Sequence, residues 1–171
     1  MTRIKVDADF SQVTADFKAM SRRSLNFDVP FRWFAKELQI LHMQNFVTRG
    51  SVDGNVWKPL DPEYSAWKLR NYGFRGILVV DRSLRDSLTF DNSRGAVREF
   101  KRTKMRFGTN IEYAKFHQTG TRRMPERPPV IMNSVLLERL SENIAEHVTE
   151  GKTPGSRRLR TAARRFGGLF S

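Results

Sequence analysis

Residues 107–129 read FGTNIEYAKFHQTGTRRMPERPP, and this passage restricts the fold more than any other. Pro125, Pro128 and Pro129 fix their own φ, supply no backbone donor and push each preceding residue out of the helical region. Residues 121–129 therefore cannot extend a helix. The expectation is a stiff, extended arm carrying Arg122, Arg123 and Arg127. Ahead of it, Gly108-Thr109-Asn110 reads as a turn, residues 111–118 allow about two helical turns, and Gly120 ends them. Tyr113, Phe116 and His117 lie three and four residues apart on one face, so the arm is expected to be rooted on an aromatic knob.

Ile4 and Val6 alternate with Arg3, Lys5 and Asp7, the period of a short half-buried strand. Asp9 or Ser11 then caps a helix to about Arg23 with Phe10, Val13, Phe17 and Met20 on one stripe. A longer helix starts near Asp28-Val29-Pro30, where proline suits the first turn, and ends at Gly50. Its apolar set is Phe31, Phe34, Leu38, Leu41, Phe46 and Val47, widened by Trp33 and Ile40, and it is expected to be the central core helix. His42 lies on it and reads as a packed or solvated side chain rather than a ligand. Residues 51–62 are turn-rich, and Trp57 within them is either a core anchor or an interface anchor. Asp61 caps a helix over residues 62–71 that Gly73 closes, with Tyr64, Trp67 and Leu69 as its apolar set and Lys68 and Arg70 outward.

In the second half, residues 77–80 form a short apolar run, and residues 83–88 make a helical turn with Leu84 and Leu88 inward. Residues 88–91 and 97–101 read as strands around the turn Asn92-Ser93-Arg94-Gly95, and residues 104–107 read as a third with Met105 and Phe107 on one face. Residues 130–132 are expected to complete this antiparallel sheet. A last helix runs from Asn133 or Ser134 to about Thr149 on the stripe Val135, Leu136, Leu140, Ile144 and Val148, stopped by Gly151. The fold class is α+β: N-terminal helices on a small antiparallel sheet, a long C-terminal helix and a basic tail. Residues 1–151 are expected to form one domain and residues 152–171 a basic, flexible arm.

Charge is the compositional outlier, with 31 Lys and Arg against 18 Asp and Glu and a net +13. Such a surface favours polyanions or acidic protein partners. Lys152, Arg157, Arg158, Arg160, Arg164 and Arg165 supply much of it in a final segment with no acid, which reads as a solvated tail, an arm that orders on a neighbouring subunit, or a contact for DNA phosphates. Cysteine is absent, so disulfides and thiolate metal sites are excluded. The N-terminus carries charges where a signal peptide needs an apolar stretch, and no run of about eighteen apolar residues marks a membrane span. His42, His117 and His147 fall in separate elements without metal-ligand spacing, and no phosphate-cradling glycine loop or nucleophile elbow occurs. No enzymatic activity and no cofactor is expected.

Glu112-Tyr113-Ala114 after a glycine turn, then Phe116-His117-Gln118-Thr119-Gly120, then a basic segment of the form Arg-x-Pro resembles the virion morphogenesis or tail-completion family of tailed phages, the Mu-like minor tail and neck proteins. Trp57-Lys58-Pro59-Leu60, Tyr64, Lys68, Ile77-Leu78 and Leu84-Arg85-Asp86-Ser87-Leu88 fit the same family in order and spacing. Asp81-Arg82 stands where the family carries Thr-Gly or Ser-Gly. The resemblance, over residues 57–132, implies a structural virion protein forming a homo-oligomeric ring, hexameric, at the head–tail junction or the upper end of the tail. It would be made in the host cytoplasm and contact neighbouring neck or tail proteins. In that picture Trp57, Tyr113 and His117 seat the arm, Arg122, Arg123 and Arg127 grip the adjacent subunit, and the lumen touches DNA without reading sequence. The alternative from charge alone is a monomeric basic nucleic-acid-binding module, whose affinity would fall linearly in log salt.

Overall fold

Helix α2 (Asp28–Val47) is the element on which the other parts pack in this computed structural model, which describes residues 11–152. The strand expected at Ile4 and Val6 and the basic residues Arg157, Arg158, Arg160, Arg164 and Arg165 lie outside the described residues. Before α2 comes α1 (Ser11–Arg23), and after it follow a 3₁₀ turn at Ser51–Asp53, α3 (Pro62–Tyr72), α4 (Ser83–Thr89), the hairpin β1 (Ala96–Lys101) and β2 (Lys104–Thr109), α5 (Ala114–Thr119) and α6 (Ser134–Glu150). The chain is α+β, as its patterning predicts.

One face of α2 serves two apolar clusters. Phe34, Leu38 and Leu41 meet Ile131 and Leu136, while Phe46 meets Trp57, Ile77, Val79, Leu84, Leu88 and Ala114. Phe107 of β2 packs against both and joins them. Leu84 and Leu88 are 1% and 0% exposed, so each contributes roughly 1.5–3 kcal/mol by burial. Ile40 and Val47, expected in this face, are exposed because they fall seven residues apart on the opposite side of the helix. After α2 the chain reverses at Gly50, whose φ of +90° suits glycine, and a Cβ there would stand 2.1 Å from Asn55 O and 2.6 Å from the Trp57 ring.

Three expectations are corrected. The apolar stripe of α1 does not face a core: Val13 and Phe17 are exposed and no residue of the helix is buried. On α3 the burial is inverted. Lys68 is buried and donates from Nζ to Gly76 O at 2.6 Å, while Tyr64, Trp67 and Leu69 lie exposed. The loop carbonyl needs a donor, and the long aliphatic stem of lysine is a tolerable core surface; burial, then the nearby Arg75, pushes the Lys68 pKa down.

The third correction is the sheet. Leu88 and Thr89 belong to α4, and among the described residues the sheet has two strands, paired from Ala96↔Thr109 to Lys101↔Lys104. Residues 130–132 do not join it, because side chains take their backbone groups. Gln118 accepts the Val130 N–H at 3.1 Å and donates to Val130 O at 3.0 Å, and His42 Nε2 accepts the Ile131 N–H at 3.3 Å.

His42 is wholly buried, with Nδ1 donating to Leu38 O at 2.5 Å and the ring stacked on Phe107 at 5.4 Å between centroids. These partners define the neutral tautomer protonated on Nδ1. Burial lowers its pKa from 6.5 to about 4, with Leu38 O opposing and Arg98 adding. The unfolded chain takes up a proton between those two values and the folded chain does not. Stability is therefore expected to fall by roughly 3 kcal/mol from pH 7 to pH 4. Denaturant titrations at half-unit pH steps check this, and His42→Gln should flatten the slope between pH 6.5 and 4.

Arg82 precedes α4 with φ +70°, in the left-handed region, at the position where the resembling family carries glycine. A side chain is strained there, so Arg82→Gly is expected to raise stability by roughly 0.5–1 kcal/mol in the same titration at pH 7.

Candidate assembly interface

Residues 107–129 do not project as an arm; they fold back as a strap. Thr109 Oγ1 accepts the Ile111 N–H at 3.1 Å, Ala114 N–H returns to Ile111 O at 3.0 Å, and the six-residue α5 follows. Gly120, at φ +69°, turns the chain where a Cβ would stand 3.0 Å from Glu126 N. Thr121 and Met124 exchange backbone bonds at 2.8 and 3.2 Å, closing a tight turn with Arg122 and Arg123 exposed at its tip. The return limb is held from below: Arg127 N–H donates to His117 O at 2.9 Å, and Asn45 Nδ2 donates to Pro128 O at 3.1 Å and Pro129 O at 3.4 Å.

Arg127 is 6% exposed. Its Nε and Nη2 donate to Lys58 O at 2.7 Å and Pro59 O at 2.8 Å, so its charge fastens the strap to the loop ahead of α3. Trp57 is 3% exposed, edge-on to Phe46 at 5.5 Å, and lies inside its own subunit as a core anchor. Arg127 thus fastens the strap to His117 and to the loop that follows the buried Trp57, while Tyr113, Arg122 and Arg123 lie exposed.

Tyr113 is half exposed with its ring edge-on to His117 at 6.0 Å. Burial, then the charge of Asp81, raises the Tyr113 pKa; burial, then Arg127, lowers that of His117. Both shifts favour the uncharged forms at neutral pH, which suits a surface that sheds water on contact. His117 Nδ1 is buried with no partner among the described residues.

Beside this knob runs a second aromatic group that pattern reading misplaced. Tyr64 stacks on Trp67 at 5.5 Å, Trp67 meets Tyr72 edge-on at 5.6 Å, and Phe74 is 92% exposed in the loop that follows. Arg127 connects the two groups, since it binds the residues just before α3 and lies within electrostatic reach of Tyr64. One clue was available in sequence: Phe74 stands between Gly73 and Arg75-Gly76 with no periodic apolar neighbour. Among the described residues, no group of three His, Cys, Asp or Glu is placed to hold a metal, and no helix is long and apolar enough to cross a membrane.

The two kinds of arginine are separable in solution. Arg127→Met removes both side-chain donors to the Lys58 and Pro59 carbonyls and is expected to cost about 1–3 kcal/mol in urea unfolding. Arg122→Ala and Arg123→Ala should change stability by less than about 0.5 kcal/mol.

No curated protein and no solved structure matches the chain. The model of the phage virion morphogenesis family does, over residues 8–167. The match contains every residue described above and extends well beyond the 57–132 region that carried the resemblance. The chain belongs to the phage virion morphogenesis family.

Proposed function

We propose that this protein is a structural component of a tailed-phage virion that completes the tail or neck, acting as a ring of copies at the head–tail junction or the upper end of the tail. The observation that carries the reading is the number of exposed aromatic side chains on α3, at Phe74 and around α5 in a member of a virion morphogenesis family. Tyr64, Trp67, Tyr72, Phe74, Tyr113 and Phe116 are each at least 38% exposed. Aromatic residues beside arginines are what protein interfaces concentrate, because a rigid ring gains much contact area at small entropic cost. A heterologous contact between this surface and a different face of the next copy closes into a ring when the rotation between copies closes. Arg122 and Arg123 at the strap tip then meet acidic groups on the neighbour. The function is mechanical joining, with no bond-making chemistry.

The test is a Trp67→Ser, Phe74→Ser double variant. Each truncation of an interface anchor costs about 2 kcal/mol of association, roughly 30-fold in Kd. The variant is expected to keep its unfolding midpoint, lose the oligomer in sedimentation, and fail to restore infectious particles when supplied to a phage lacking the wild-type gene. A variant that restores particles as well as the parent overturns the reading. So does a parent chain that sediments as a monomer and binds DNA with a steep salt dependence.

A further inference from the structure

Helix α6 is the acidic element of a basic protein. Of the α-helices and strands described, it alone carries a net negative charge, with four glutamates against one arginine in a chain of +13. That arginine does not offset them on the outside. Arg139 turns inward, pairing with Glu37 of α2 at 2.7 Å and lying over the Trp33 ring at 5.3 Å. Glu150 pairs with Lys152. The other three, Glu138, Glu142 and Glu146, recur every fourth residue and are all exposed, so they form one row along the outer face, about 6 Å apart. Val135 continues this row one turn ahead and Met132 precedes the helix, both as exposed apolar side chains.

The row is unfavourable for the helix that bears it. Like charges four residues apart repel, and the row runs towards the helix C-terminus, whose dipole favours cations. No ion pair of Glu138 or Glu146 with a described residue relieves this. The matching charge stands at the tip of the strap. Arg122 and Arg123 are adjacent and exposed on the turn that Thr121 and Met124 close, and neither pairs with an acid among the described residues. Two guanidinium forks about 3.8 Å apart at Cα can span two successive carboxylates of the row, and each fork fits a carboxylate with two parallel bonds. In one copy the tip and the row stay apart, since the strap is pinned along both limbs and α6 packs on α1 and α2. A chain of +13 repels its own copies, so contact between them needs a place where the sign changes, and α6 supplies it.

We propose that the outer face of α6 is the seat for the next copy in the ring. Glu138, Glu142 and Glu146 take the neighbouring copy's Arg122 and Arg123, while Met132 and Val135 lie against its Tyr113 and Phe116. This rests on the reading that copies of the chain assemble through the strap and its aromatic rings, and it names the face those groups meet. The contact is heterologous, one face of each copy against a different face of the next, as ring closure requires. Charge sets the register, and the apolar end contributes the burial.

Charge exchange on the full chain tests this. Glu138→Arg with Glu146→Arg, and separately Arg122→Glu with Arg123→Glu, are each expected to weaken association about 100-fold in sedimentation at about 0.1 M salt, without lowering the unfolding midpoint. The chain carrying all four changes restores opposite signs across the contact and is expected to assemble within about tenfold of the parent. An α6 reversal that assembles like the parent, or a fourfold exchange that fails to recover what each reversal lost, overturns this seat and leaves the assembly reading standing. Recovery of the α6 reversal by Arg157→Glu with Arg158→Glu, in place of the changes at the strap tip, assigns the row to the basic residues after α6 and overturns the seat as well. A parent chain that stays monomeric throughout overturns both.

Discussion

Two polar side chains buried on an otherwise apolar helix face govern this architecture. His42 and Asn45 are both 0% exposed; Asn45 Nδ2 donates to the Pro128 and Pro129 carbonyls and His42 Nε2 accepts the Ile131 N–H. That segment has little capacity of its own, since its prolines supply no N–H, and its carbonyls would be costly to bury unpaired. Asn45 removes that penalty as a donor and His42 accepts the next free N–H, so the two together fix the path of the strap. Both ring nitrogens of His42 and the Asn45 amide nitrogen find partners, which offsets much of the cost of burying them. Burial, aided by Arg98, keeps His42 neutral and gives the core its sensitivity to acid.

This arrangement has a consequence for the sheet. A strand needs its backbone groups free in alternation, and residues 130–131 have theirs occupied by Gln118 and His42. The hairpin therefore remains two-stranded among the described residues. A two-stranded ribbon is marginal alone, and here it is stabilised by what lies across it. Arg98 places its guanidinium 3.8 Å from the centre of the Phe107 ring, donates to Val97 O, Gly108 O and Ser87 O, and approaches Asp91 at 3.7 Å. Lys36 and Gln39 reach the same carboxylate from α2. A single arginine thus ties hairpin to α4, while Asp91 ties both to the central helix.

The elements were legible where local chemistry decides them. Asp61 accepts from Glu63 N–H and Tyr64 N–H at the start of α3, Asn133 accepts from Leu136 N–H at the start of α6, and Gly151 closes α6 in the left-handed conformation. Leu84 and Leu88 face inward as their spacing requires, whereas the hairpin reverses at Arg102-Thr103 and the glycine turn at residues 92–95 only leads into β1. The illegible parts are those where a polar side chain serves a distant backbone group. Nothing local announces that Lys68 is needed by Gly76 O, that Arg127 is needed by Lys58 and Pro59, or that His42 will meet Ile131, 89 residues away. Hydrophobic period then misassigns the faces. On α3 it takes the aromatic stripe for the buried one, when the demand for a donor has already drawn the opposite face inward.

The candidate interface was legible in part for the same reason. Residues 107–129 are unusual in sequence because proline and arginine are concentrated there, but composition does not distinguish an arginine that fastens from one that is presented. The distinction comes from geometry: Arg127 falls where two loop carbonyls converge, whereas Arg122 and Arg123 occupy the tip of a turn that Thr121 and Met124 close. A strap pinned along both limbs offers its tip in one orientation, so little conformational entropy is lost when a partner meets it. The rings of α3 and Tyr113 are likewise restrained, by stacking on one another and on His117. Rigidity of this kind costs the monomer exposed aromatic area, which water penalises. In the ring proposed above, contact with the next copy would relieve that penalty.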